Sequence, residues 1–164
     1  MRPAMRLTVG VVVVIMTAAL WPVAVGASGG SGRPFKASGS ASGIFNTDTE
    51  SFVIDGTLTG THIGKSTAHI VGDTAAGTGT TTVTAANGDT LIFVADSRTT
   101  DIDNSACPPG LPGATQQPST IHGGTGRFAG ATGHIVATTC AGFGDTEPDV
   151  LLTVAFTAVG TINY

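Results

Sequence analysis

Apolar and polar residues alternate in short runs over most of the chain, as they do in half-buried β-strands. Residues 51–59 place Phe52, Ile54 and Leu58 on one face. The opposite face carries Ser51, Val53, Asp55 and Thr57. Residues 150–164 alternate over a longer distance. One face there carries Val150, Leu152, Val154, Phe156, Ala158 and Ile162, and the other carries Thr153, Thr157 and Thr161. Both patterns predict β-strands.

Similar short runs predict about six further strands, near 35–44 and at 65–71, 80–86, 89–96, 121–123 and 133–139. The Asn87-Gly88 pair between two of them is a strong hairpin signal. Residues 97–119 contain four prolines and no strand pattern, which predicts a long loop. Threonine favours strands, and long helix-forming runs are absent, so the chain is predicted to be an all-β sandwich or barrel.

The N-terminal residues resemble a secretory signal. Arg2 and Arg6 precede the uncharged run Leu7–Leu20, and Val25-Gly26-Ala27 supplies small residues for cleavage. The alternative is an uncleaved anchor, although Pro22 interrupts a run that is barely long enough to span a bilayer. We expect a signal peptide at 1–27, a flexible linker at 28–33 and one barrel domain at 34–164, secreted and without a stable membrane anchor.

Charge and glycine motifs exclude several functions. Charged residues make up 11% of the chain and the net charge is −4, with no basic cluster, so we expect no nucleic-acid partner. The glycine-rich segment 123–133 lacks the lysine and following helix of a phosphate loop, and no cofactor is predicted. Gly39-Ser40-Ala41-Ser42-Gly43 has alanine where a serine hydrolase carries its nucleophile.

Cys107 and Cys140 are the only cysteines. An even pair in an exported protein most simply forms a disulfide, here closing a loop of about 33 residues. A metal pair and a reactive thiol are the alternatives, but two cysteines this far apart lack the spacing of metal ligands.

The segment 123–133 holds five glycines and one phenylalanine, Phe128, which is typical of a tight corner with an aromatic ring inserted beneath it. Its pattern G-G-T-G-x-F-x-x-x-x-G resembles the barrel corner of plant allene oxide cyclases and dirigent proteins. The matching positions are Gly123, Gly124, Thr125, Gly126, Phe128, Gly130 and Gly133. The chain looks like a bacterial exported member of that group, for which activities are generally unassigned.

This resemblance implies an eight-stranded antiparallel β-barrel of calycin-like form, whose lumen holds an apolar molecule. It also implies a trimer, and the terminal strand, with few charges on either face, could cover a neighbouring copy. Three functions remain open: lumen binding of a small apolar ligand, cyclase-like or dirigent-like steering of a reactive intermediate, and a structural role with a filled lumen. An empty lumen would exclude the third function, and a lumen-facing Asp, Glu or His would favour the second.

Asp55, His69 and His134 are the candidate catalytic residues, because each lies within a predicted strand. A carboxyl group inside a barrel would have a raised pKa and could act as a general acid or base. Asp55 also shares a face with Ser51 and Thr57, which favours a solvent-facing position. The histidines lack metal-ligand spacing, and inside the lumen either could orient a ligand.

Acidic residues flank the two cysteines. Asp101 and Asp103 precede Cys107, whereas Asp145 and Glu147 follow Cys140, so a disulfide would bring the two pairs towards each other. Carboxylate oxygens suit Ca²⁺, but no EF-hand spacing is present. Solvated acidic loops are the alternative.

Overall fold

The computed structural model describes residues 32–96, 99–105, 107–145 and 147–164. The predicted signal peptide at 1–27 and residues 28–31 of the predicted linker lie outside the described residues. Arg33, which was assigned to the linker, is the first residue of the first strand and pairs with Ile162.

Nine strands and one 3₁₀ turn make up the regular structure of the described residues. The strands are β1 (Arg33–Asn46), β2 (Ser51–Gly60), β3 (Gly64–Asp73), β4 (Thr78–Ala85), β5 (Thr90–Ala95), β6 (Thr100–Asp101), β7 (Gly113–Gly124), β8 (Thr132–Phe143) and β9 (Asp149–Asn163). The 3₁₀ turn, Gly126–Phe128, lies between β7 and β8.

Antiparallel pairing closes eight of these strands into a barrel. The hydrogen-bonded order is β5-β4-β3-β2-β1-β9-β8-β7, and β5 also pairs with β7, which joins the two edges. The two-residue β6 pairs only with β7, on the edge that β5 also uses, and so it continues the line of β5 along β7. The predicted all-β, eight-stranded antiparallel barrel is therefore confirmed.

The predicted faces of β2 and β9 are also confirmed. Ile54 and Leu58 are buried, as are Val150, Leu152, Val154, Ala158 and Ile162, whereas Thr153, Thr157 and Thr161 are exposed. Side chains of a strand alternate between its two faces, so the apolar set lines the barrel interior and the hydroxyl set covers its outer wall.

The prediction that 97–119 is a loop holds for the described residues between β6 and β7 but was wrong elsewhere, because β7 begins at Gly113 and β6 occupies Thr100–Asp101. The inward positions at the start of β7 are Thr115, Gln117 and Ser119, so polar residues hide the alternation there. The backbone of Pro118 faces β5, and its carbonyl accepts from Asp96 N just beyond the last paired residues of β5 and β7. Because the ladder between the two strands has already ended there, the missing N–H of the proline removes no bond from it.

The corner between β7 and β8 plugs one end of the barrel. Phe128 has 0% exposure and packs in a core with Phe35, Leu91, Ile121 and Ile162. Gly126 has φ +58°, and a side chain there would also collide with the carboxylate of Asp89. We call the end of the barrel that holds this corner the closed end, and the opposite end the open end.

The predicted disulfide between Cys107 and Cys140 is confirmed, with its Cα atoms 5.6 Å apart. Thr139 and Ala141 face the interior, so Cys140 between them lies on the outer wall. Residues 102–105 and 107–112 therefore pass over the outside of β7 and β8. There the Gly110 carbonyl lies against Gly142, and Ile102 N donates to the Ala114 carbonyl. We call this segment the strap.

Candidate ligand-binding lumen

An apolar cavity of about 260 Å³ lies inside the barrel. Inward side chains from strands all around the ring form its wall, because alternate residues of each strand point inward. Aromatic residues are few in this chain, but six of its seven phenylalanines lie on this wall: Phe35, Phe45, Phe52, Phe93, Phe143 and Phe156. The few phenylalanines of the chain are thus mostly placed around this one cavity.

One side of the cavity is polar. Thr115, Gln117 and Ser119 face it from β7, with Thr139 from β8 and Thr81 from β4. The opposite side, formed by β9, β1 and β2, presents Leu152, Val154, Phe45 and other apolar residues. Among the strand residues that line the cavity, the polar ones are thus confined to β4, β7 and β8, and this uneven placement can fix the orientation of a bound molecule.

Sequence reasoning missed these polar residues, because it treated 97–119 as a loop. The signal was nevertheless present. Thr115, Gln117, Ser119 and Ile121 follow the two-residue spacing that the sequence already indicated for the end of the strand.

The cavity reaches the open end beside an aromatic pair. The rings of Phe45 and Phe143 meet edge to face with centroids 5.6 Å apart, and Phe143 is 59% exposed. The other end is closed by Ile63 and by the core around Phe128. A ligand therefore has one evident way into the lumen.

A smaller space of about 70 Å³ adjoins the cavity below the β3–β4 connection. The two spaces share Phe52, Ile70, Thr81 and Phe93, among other residues. Asp73 lines the smaller space, whereas none of the described residues that line the main cavity is acidic, basic or a histidine.

Asp55 and His69 lie on the outer wall and not in the lumen. The register of β2 and β3 places them opposite each other, and His69 Nδ1 is 2.8 Å from Asp55 Oδ1. The side chain of Asp55 is 73% exposed and that of His69 is 53% exposed. The solvent-facing alternative for Asp55 is therefore confirmed. An exposed pair of this kind contributes little to stability and lacks a cavity for substrate.

His134 is also on the outer wall. Its Nδ1 lies 3.2 Å from Thr120 Oγ1, and that hydroxyl donates to Asp96 Oδ1 at 2.6 Å. The idea that His69 or His134 orients a ligand inside the lumen was therefore wrong. Both occupy outward positions of strands whose inward positions are taken by smaller or apolar residues.

The four candidate calcium ligands do not assemble into a site. Within the part of the chain that the structure describes, no three His, Cys, Asp or Glu side chains are close enough to hold a metal ion. The carboxylate of Asp103 instead accepts from the backbone N–H and the hydroxyl of Ser105, which lower its pKa. Asp101, Asp145 and Glu147 are exposed, in line with solvated acidic loops.

Comparison of this chain with family models, curated proteins and solved structures finds no match. In the described ranges, no helix has the length and apolar character needed to cross a membrane. The function must therefore be inferred from the lumen itself.

Proposed function

We propose that this protein is a secreted β-barrel that binds a small apolar molecule in its lumen. The observation that carries the proposal is the cavity of about 260 Å³ with its largely apolar wall. Engineered apolar cavities of about 150 Å³ already bind benzene, and drug-sized ligands occupy roughly 300–1,000 Å³. The lumen therefore suits a small ligand, or a longer one that projects through the open end.

The two alternative functions are less well supported. A structural barrel would be expected to fill its lumen with side chains, whereas this lumen retains space. A cyclase-like enzyme that moves protons would need an acid or base beside the reacting atoms. The described residues that line the main cavity include none, and Asp73 lines only the smaller adjoining space. The resemblance of 123–133 to allene oxide cyclases and dirigent proteins supports the lumen as the place where the ligand lies.

Secretion belongs to the same proposal. The disulfide between Cys107 and Cys140 is consistent with an extracellular protein, since disulfides persist in oxidising compartments. The signal-like residues 1–27 supply the export route.

The neutral fluorescent probe N-phenyl-1-naphthylamine is expected to bind with a stoichiometry near one per chain. It should also raise the melting temperature, because only the folded barrel offers the site. Fluorescence titration and thermal unfolding measure both effects. A lack of binding by this probe and by smaller apolar compounds would contradict the proposed function.

Filling the lumen tests where the probe binds. Ala137→Phe should reduce probe affinity at least tenfold, because residue 137 lines the cavity and the larger ring would occupy it. Val136→Phe is the matched control, since residue 136 is the adjacent position on the same strand and is exposed on the outer wall. Equal affinities of the two folded variants would place the probe outside the lumen.

We also propose that the barrel forms a homo-oligomer, a trimer if the resemblance extends to assembly. Leu151, Ile44, Val53 and Val71 are exposed and stand side by side on β9, β1, β2 and β3, because each pairs with the next in register. Ile44→Asp should shift the molar mass measured by light scattering to that of a monomer, whereas Ser40→Asp on the same strand should not. A monomeric wild-type protein would contradict this proposal.

A further inference from the structure

The acidic residues of this protein collect at the open end of the barrel. Nine of its eleven Asp and Glu residues lie in the connections at that end or at the strand residues beside them. They are Asp48, Glu50, Asp73, Asp96, Asp101, Asp103, Asp145, Glu147 and Asp149. The remaining two are Asp55 on the outer wall and Asp89 at the closed end.

The described basic residues lie towards the opposite end. Arg33 stacks over the ring of Tyr164, with its guanidinium carbon 4.8 Å from the ring centroid, and Arg127 Nε is 3.6 Å from Asp89 Oδ2. Lys36 and Lys65 occupy β1 and β3 near the same end. The described charges are therefore separated along the barrel axis, and the lumen opens on the negative side. A mouth of one sign raises the local concentration of ligands of the opposite sign.

Asp73 is the carboxylate best placed to meet a ligand. It is half-buried at the end of β3 and lines the smaller space that shares its walls with the lumen. Its Oδ1 accepts from Ala76 N at 2.7 Å, which holds the side chain in place. Residue 73 therefore lies beside the apolar cavity, with its carboxylate held at the adjoining turn.

We propose that the lumen takes an amphiphile whose body is apolar and whose head is a cation, such as an alkylammonium compound. This inference rests on the proposed lumen binding and names the class of ligand. The head cannot follow the body inwards, because desolvating an ion in an apolar cavity is costly. It remains at the mouth, where Asp73 and the surrounding carboxylates attract a cation and repel an anion.

A matched series of ligands tests the inference: decyltrimethylammonium, decanol and decanoate, each used below its micelle concentration to displace N-phenyl-1-naphthylamine. The cation should bind about threefold to fivefold more tightly than the alcohol at low ionic strength, the range that one partly exposed ion pair supplies. Decanoate should bind more weakly than decanol. The preference should largely vanish at about 1 M salt, where the Debye length is roughly 3 Å.

Asp73→Asn should bring the ratio of cation affinity to decanol affinity close to one, because the charge is lost while the amide oxygen can still accept from Ala76 N. Asp55→Asn removes the same charge from the outer wall and should keep the preference. Equal binding of the cation and the alcohol to the wild type, or a loss of preference in Asp55→Asn only, would overturn the inference while leaving lumen binding intact. Failure of the probe and of all three compounds to bind would instead contradict the proposed function.

Discussion

Phe128→Ala is expected to lower the free energy of unfolding by about 3–5 kcal/mol, the usual cost of removing a fully buried aromatic ring. Phe128 has 0% exposure and its ring meets that of Tyr164 edge to face, with centroids 5.2 Å apart. The plug at the closed end is a single short turn, so little else can move in to refill the space. Urea denaturation monitored by circular dichroism measures the loss.

Phe143→Ala provides the matched control, because it removes the same ring from a position that is 59% exposed. It should cost less than about 1 kcal/mol, as do most surface substitutions away from special features. A similar small cost for Phe128→Ala would mean that the plug does not stabilise the barrel. Gly126→Val gives an independent check, because valine at φ +58° is strained and would collide with Asp89.

The parts of the fold that depend on local pattern could be predicted from the sequence. Period-two alternation identified β2 and β9, and the glycines and Phe128 identified the corner. The same reasoning failed at β7, where the inward residues Thr115, Gln117 and Ser119 are polar because they face the lumen. The strand was hidden by the side chains that give the cavity its polar side, so the candidate site was missed together with the element that carries it.

Features that depend on strand register could not be predicted. Asp55 and His69 are 14 residues apart, and their contact requires the pairing of β2 with β3 in the observed register. The clustering of acidic residues at the open end does not depend on register. In an antiparallel barrel, alternate connections lie at the same end. Asp48, Asp73, Asp101 and Asp145 belong to the first, third, fifth and seventh connections of the eight-stranded ring. Once the order of strands is known, their placement at one end follows from the sequence.

Replacing both cysteines with serine is expected to lower the free energy of unfolding by roughly 3–4 kcal/mol, the chain-entropy value for a loop of this length. The pair is separated by 33 residues, and the crosslink restricts the unfolded chain over that whole span. Few other bonds hold the strap in place. Among the described hydrogen bonds, the one from Ile102 N to the Ala114 carbonyl ties the strap to the barrel. The side-chain amide of Asn104 donates to the Pro112 carbonyl, which lies within the strap itself.

Local opening should therefore precede global unfolding in the double variant. Hydrogen exchange is expected to speed up first at the amides of the strap, while amides of β1 and β9 keep their protection, since those strands pair along their full length. The wild type treated with a reductant is the control and should match the variant in both measurements. Probe binding should survive in both, because the strap lies on the outer wall and the lumen residues of β8 do not depend on it. A stability loss below about 1 kcal/mol would mean that the crosslink adds little to the fold, whereas loss of probe binding would mean that the strap shapes the lumen from outside.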